Sequence, residues 1–156
     1  MTKRDIIMQI RASKAAHIRW KSHVQITLRG VITNQSETDL PIVQTECDFG
    51  KWYYGDGMAL SILSNFAALE VPHEMVHEIY IQIYTLQKAK LSGGFFTSKR
   101  KILQKRQEEV VTLTASLNDY SKILVETIHQ LEIEVLQMND DEINDLFDVY
   151  KVPPIG

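Results

Sequence analysis

The chain has 156 residues, 44% of them hydrophobic and 24% charged, and a formal net charge of −3. This size and composition predict one globular domain that buries its own core. Without a basic excess, nucleic acid is not the expected partner, and no apolar run approaches the roughly 18 residues of a membrane span. The N-terminus shows no secretory signal, and the single cysteine, Cys47, cannot form an intrachain disulfide. We therefore expect a cytoplasmic protein.

The first half of the chain predicts two helices. One covers about residues 3 to 29, where Ile10, His17 and Val24 recur every seven residues. A polar, turn-rich segment follows over 30–41, and glycines interrupt the stretch after it. A shorter helix is predicted over 57–69.

The second half predicts three more helices. Pro72 suits a helix start, and an apolar stripe runs from there to about Ala89. Apolar residues then recur every three or four positions from Val110 to Met138, which predicts a helix of about 45 Å. Asn139 followed by Glu142 is typical of a capped helix start, so one more short helix is expected.

These elements together predict an all-α protein, namely a four-helix bundle with a C-terminal helical extension. We assign the bundle to residues 1–125 and the extension with its acidic tail to residues 126–156. The extension has three possible arrangements: it folds back on the bundle, pairs with a second copy, or binds a separate signalling protein.

The most specific chemical motif lies at the start of the Pro72 helix. Residues 73–77 read HEMVH, which matches the H-E-x-x-H pattern of zinc proteases. His73 and His77 are one helical turn apart and can share one metal ion. In a protease, Glu74 would be the general base and a water would complete the site. The continuation EIYIQIY supplies no further protease motif, so this alternative is the weaker one.

Two other residues suit a closed metal site. His17 lies on the apolar seam of the first helix, either as a hydrogen-bonded core histidine or as a metal ligand. Cys47 begins a glycine- and aromatic-rich stretch, either as a small buried residue or as a thiolate ligand. Three imidazoles and one thiolate would complete a tetrahedral site, and this donor set favours zinc.

Four segments resemble the chemoreceptor zinc-binding domain, or CZB, family. They are HIRWK at 17–21, CDFGKWYYG at 47–55, PHEMVH at 72–77 and LTASLNDYSKIL at 113–124. The resemblance implies a four-helix bundle, often a homodimer, that senses or regulates in bacterial chemoreceptors and in cyclic-di-GMP-producing diguanylate cyclases. By matching motif, it implies that zinc is bound by His17, Cys47, His73 and His77.

The resemblance favours a zinc-binding sensory or regulatory protein rather than an enzyme. In a site closed by four side chains, Glu74 would point away from the metal or serve as an outer partner, with Trp20 and Trp52 packed around the site. The input would be zinc itself or oxidation of Cys47. The expected partners are a second copy and a chemoreceptor or diguanylate cyclase, with no nucleic acid and no membrane. The alternatives are a small zinc hydrolase built on HEMVH and a structural zinc adaptor.

Other charged and polar residues are assigned to the surface. His23 and His129 lie off the apolar faces of their helices. Glu46 and Asp48 flank the cysteine, where neighbouring side chains usually diverge. The basic cluster following residue 98 is expected to be a solvated helix start or turn face rather than a nucleotide or phosphate site, and it consists of Lys99, Arg100, Lys101, Lys105 and Arg106.

Overall fold

The computed structural model describes residues 1–28, 43–90 and 98–151, and within these ranges the regular elements are all helices. They are α1 (Lys3–Leu28), α2 (Asp48–Tyr53), a 3₁₀ helix (Asp56–Leu60), α3 (Ser64–Ala67), α4 (Glu70–Lys88), α5 (Lys99–Gln137) and α6 (Asp140–Lys151). The all-α prediction is confirmed. Among the described residues, no helix combines the length and apolarity needed to cross a membrane.

The long helix α5 is the centre of the bundle. Helices α1 and α4 both pack along it, and both run antiparallel to it. For α1, Arg11 pairs with Glu132, and Gln25 bonds Asn118 farther along. For α4, its last turn lies near the start of α5, where Arg106 donates to the carbonyl of Ala89 at 2.7 Å.

The fourth position of the bundle is occupied by short helices rather than one long helix. Helix α2 packs on α1, and α3 packs on α5. The single helix predicted over 57–69 is wrong: the chain forms the 3₁₀ helix and α3 instead, because Leu63 adopts an extended conformation with ψ of 130° between them. The packing of α2 on α1 places the residues around position 47 against the bundle.

The predicted long helix begins earlier than its apolar pattern does. Helix α5 starts at Lys99 and has 39 residues. Its first turns carry the basic cluster, which is exposed except for partly covered Arg106. Because these turns bury little, they leave no apolar stripe in the sequence. Ser98 instead marks the start, where its side chain accepts a hydrogen bond from the Lys101 N–H.

The core is formed mainly by the three long helices. On these helices, most of the core residues with an exposed fraction of 3% or less are branched aliphatic side chains at helical spacing. They include Ile6, Ile10, Val24, Val76, Ile79, Ile83, Leu117, Leu124, Ile128, Leu131 and Val135. Burial of such side chains is the main stabilising contribution in a bundle of this size.

Helix α6 folds back on the body of the protein. The predicted cap is confirmed: Glu142 N–H donates to Oδ1 of Asn139 at 2.9 Å, and Asn139 N–H donates to the Glu142 carboxylate at 2.6 Å. The buried side chains of Ile143 and Leu146 belong to the core, and α6 packs on the 3₁₀ helix. Helix α5 passes residue 125 without a break, and the division into domains there stays a prediction.

We predict that Ile143→Ala lowers the free energy of unfolding by about 2–4 kcal/mol, because it removes a side chain that is 2% exposed and leaves a cavity. Urea denaturation measures this change. Exposed Asp145→Ala on the same helix is the control and should change the value by no more than about 0.5 kcal/mol. Equal, small effects of both substitutions would mean that α6 does not dock.

Candidate metal centre

Helix α4 presents two buried imidazoles to the centre of the bundle. His73 and His77 are four residues apart, with exposed fractions of 0% and 2% and ring centroids 4.9 Å apart. The spacing places them on one face, one turn above the other. Their neighbours Val76, Ile79 and Tyr80 on the same helix are buried too, so both imidazoles lie away from water.

The turn before α2 brings the thiol of Cys47 to the same place. Cys47 is the N-cap of α2, and its Sγ accepts a hydrogen bond from the Gly50 N–H at 3.2 Å. The Sγ also lies 3.3 Å from the carbonyl oxygen of Gln44. These contacts fix the direction of a side chain that is 4% exposed.

Gly50 allows this turn to close. A Cβ at position 50 would lie 1.8 Å from the carbonyl oxygen of Gln44, far inside van der Waals contact. At position 55, a Cβ would lie 2.6 Å from the carbonyl oxygen of Lys51. The two glycines of the segment CDFGKWYYG at 47–55 are thus required, because the backbone approaches them too closely for a side chain.

Cys47, His73 and His77 form a three-residue cluster suited to a metal ion. Sγ of Cys47 lies 3.2 Å from Nε2 of His73, and one donor atom from each of the three residues lies within 4.8 Å of the others. Zn–S bonds of about 2.3 Å and Zn–N bonds of about 2.0–2.1 Å place tetrahedral donors about 3.5 Å apart. The three donor atoms therefore need to move only slightly closer together to reach the separations of a zinc site. Cys47 thus reaches the histidine pair of α4.

The protonation states of the cluster favour the binding of a metal cation. Burial lowers the pKa of His73 to about 3, so its imidazole is neutral and offers a lone pair. Burial also raises the pKa of the Cys47 thiol, so a metal must displace its proton. Within the described part of the chain, Nδ1 of His73 is buried and has no hydrogen-bond partner. Buried polar atoms normally have a partner, and a bound ion would supply one to this cluster.

His17 borders the cluster without joining it. It lies on α1, is 2% exposed, and its Nε2 is 2.9 Å from Oγ of Ser121 on α5. Burial lowers its pKa to about 4, with a further contribution from His77, so this imidazole is neutral as well. The structure thus brings together three of the four expected ligands, and ligation by His17 stays a prediction.

The residues expected to surround the site divide into three cases. Trp20 packs directly on it, with its ring 4.4 Å from that of His77. Trp52 lies one layer away, against Phe49 and Phe66, at centroid distances of 5.7 and 5.8 Å. Glu74 is exposed on the outer face of α4, as expected for a residue turned away from the metal.

Sequence reasoning missed two residues that contact the site. Phe49 is 1% exposed, and its ring centroid is 4.5 Å from that of His73. Ser121 is hydrogen-bonded to His17, which borders the cluster. The signal for Ser121 was available, because it is a polar residue between Leu117 and Leu124 in the apolar stripe of α5. His23 and His129 are exposed, as predicted, and Glu46 and Asp48 are exposed as well.

Residues 17–84 match the family model of the chemoreceptor zinc-binding domain. Over these residues the chain is similar to the chemoreceptor zinc-binding domain. The match begins at His17 and includes the three-residue cluster, and the cofactor is zinc. Helices α5 and α6 lie outside the matched segment. No curated protein and no solved structure matches the chain significantly.

We predict that Gly50→Ala weakens zinc binding by about tenfold or more, because the added methyl group displaces the turn that directs Cys47. Competition with a chromophoric zinc chelator measures the affinity. Lys51→Ala, on the exposed side of α2, is the control and should bind zinc as the unchanged protein does. An unaltered affinity of Gly50→Ala would show that the turn does not position the thiolate.

Proposed function

We propose that this is a zinc-binding sensory or regulatory protein of bacterial signal transduction. The observation that carries the proposal is the convergence of Cys47, from the turn before α2, with His73 and His77 of α4 in the interior. Because these ligands come from separate elements, the packing of the elements against each other depends on the bound metal. The family, a zinc-binding domain of chemoreceptors, supports the same role.

In the proposed site, His17 is the fourth ligand. Three neutral imidazoles and one thiolate around Zn²⁺ have a net charge of +1, which is small for a buried site. Four protein ligands leave no open position for an activated water, so the site is not hydrolytic. The exposed position of Glu74 supports this, because a general base must reach a metal-bound water.

The proposed signal is a change of helix packing with zinc occupancy. Ligation ties α1, the turn before α2, and α4 to one ion, and metal binding is coupled to the folding of the elements that supply its ligands. Without the ion, buried polar donors remain in an apolar core and weaken the same contacts. Loss of zinc is therefore expected to loosen this region first.

Oxidation of Cys47 is a second proposed input. A strong two-electron oxidant converts a zinc-bound thiolate to sulfenic acid, which is a poorer ligand, and the metal is released. Because Cys47 is 4% exposed, the oxidant must wait for an opening of the turn. Thr45, Glu46 and Asp48 beside it are exposed, and short segments at the surface open at a lower free-energy cost than the core does.

For partners, we propose a second copy of the chain and a chemoreceptor or diguanylate cyclase in the cytoplasm. A zinc-binding domain needs a contact surface through which its state reaches a partner. Helix α6 offers a surface for this role, because it presents exposed acidic residues while its apolar face is docked. They are Asp140, Asp141, Glu142, Asp145 and Asp148.

We predict that Cys47→Ser loses most of its bound zinc after dialysis, because a serine hydroxyl is not ionised at neutral pH and is a weak zinc ligand. Elemental analysis of the purified protein measures the zinc content. The control is Glu74→Gln, an exposed substitution on α4, which should keep one zinc per chain. Equal zinc content in the two variants would contradict the site.

Glu74→Gln and the exchange of bound zinc separate the proposal from its alternatives. A small zinc hydrolase predicts hydrolytic activity that Glu74→Gln abolishes while zinc is retained. A structural adaptor predicts zinc that does not exchange at physiological free zinc concentrations. A sensor predicts exchange within that range and no dependence on Glu74.

We predict that removal of zinc increases amide hydrogen exchange at 44–54 and 70–80, because these segments carry the cluster. Exchange in α6 should change little, because α6 packs on the 3₁₀ helix. Hydrogen exchange with mass spectrometry compares the zinc-loaded and chelator-treated proteins. A uniform change across all helices would indicate global destabilisation rather than a local signal.

A further inference from the structure

A buried hydrogen bond connects His17, which borders the candidate metal centre, to α5. Oγ of Ser121 lies 2.9 Å from Nε2 of His17, and the two residues are 1% and 2% exposed. Water does not compete with a bond so deeply buried, so it holds the imidazole firmly. The three-residue cluster takes its members from α4 and from the turn before α2. The Ser121 bond thus ties α5 to a site to which this helix contributes no member of the cluster.

The tautomer of His17 decides which of its nitrogens can bind a metal. A neutral imidazole has one N–H and one nitrogen lone pair. If Nε2 carries the proton and donates it to Ser121, the lone pair is on Nδ1. Histidines that bind metals almost always donate their other ring N–H to an acceptor, which fixes the tautomer and the ring orientation.

We propose that Ser121 is a positioning residue of the zinc site. Its hydroxyl oxygen accepts the Nε2–H of His17, and this bond presents Nδ1 of the same ring as the fourth zinc donor. The inference rests on the proposed function, in which His17 is a ligand. The bond persists when zinc binds, so zinc occupancy is transmitted through His17 to α5.

A matched pair of serine variants tests the proposal. Ser121→Ala should weaken zinc binding by about tenfold, the lower end of the effect of losing an outer partner of a metal ligand. Ser13→Ala is the control, because Ser13 is also buried at 3% exposure, but its hydroxyl donates to the carbonyl of Ile10 within α1. Competition with a chromophoric chelator measures both affinities. Unchanged or tighter binding by Ser121→Ala would overturn the proposal, since tighter binding would show that Ser121 competes with zinc for Nε2.

The spectrum of the unchanged protein provides a second readout that a merely structural serine would not determine. Long-range ¹H–¹⁵N correlation of the imidazoles distinguishes a protonated nitrogen from a metal-bound one. In the zinc-loaded protein, His17 should show a protonated Nε2 and a zinc-bound Nδ1. Zinc on Nε2 of His17 would overturn the proposal.

A double-mutant cycle separates failure of this inference from failure of the proposed function. His17→Ala should weaken zinc binding, and Ser121→Ala should have no further effect in that background. If His17→Ala binds zinc normally, the four-ligand site fails and the inference fails with it. If His17→Ala binds weakly while Ser121→Ala binds normally, only the inference fails. Independent, additive losses would also overturn it.

Discussion

The candidate metal centre depends on one buried polar contact, the approach of the Cys47 thiol to the imidazole of His73 at 3.2 Å. Neither group is charged at neutral pH, because burial raises the pKa of the thiol and lowers that of the imidazole. Polar groups withdrawn from water cost free energy unless they are satisfied. A zinc ion satisfies both and offsets the negative charge of the thiolate. The interior is thus arranged for a cation at the point where α4 meets the turn before α2.

The rest of the fold supplies the rigidity that this contact needs. Helix α4 holds His73 and His77 on one face, while the close approach of Gly50 to Gln44 directs the cysteine. Phe49 and Trp20 pack on the two imidazoles and exclude water. Because α5 packs against both α1 and α4, a change at the site has a direct route to the longest helix of the bundle.

The sequence was informative where a single physical pattern dominated. The apolar period of 3.6 predicted α4 and most of α5, and the pair of Asn139 and Glu142 predicted the start of α6. The period failed where burial is slight, as at the basic start of α5. It failed also over 57–69, where apolar residues suggested one helix although Leu63 is extended.

The site was predictable to a different degree for each residue. The spacing of His73 and His77 identified a metal pair, and the resemblance added His17 and Cys47. Composition and spacing alone could not place Cys47 beside His73, because that contact depends on a backbone approach at Gly50. Nor could they show that His17 bonds Ser121, which requires the register of α1 against α5. Contacts between distant segments are set by tertiary packing, which a local pattern does not encode.

X-ray absorption at the zinc edge of the purified, zinc-loaded protein is the most direct measurement of the central claim, because it counts the atoms bound to the ion. One sulfur at about 2.3 Å and three nitrogens at about 2.0–2.1 Å are predicted. A shell without sulfur, or one with two or more water oxygens, would contradict the account.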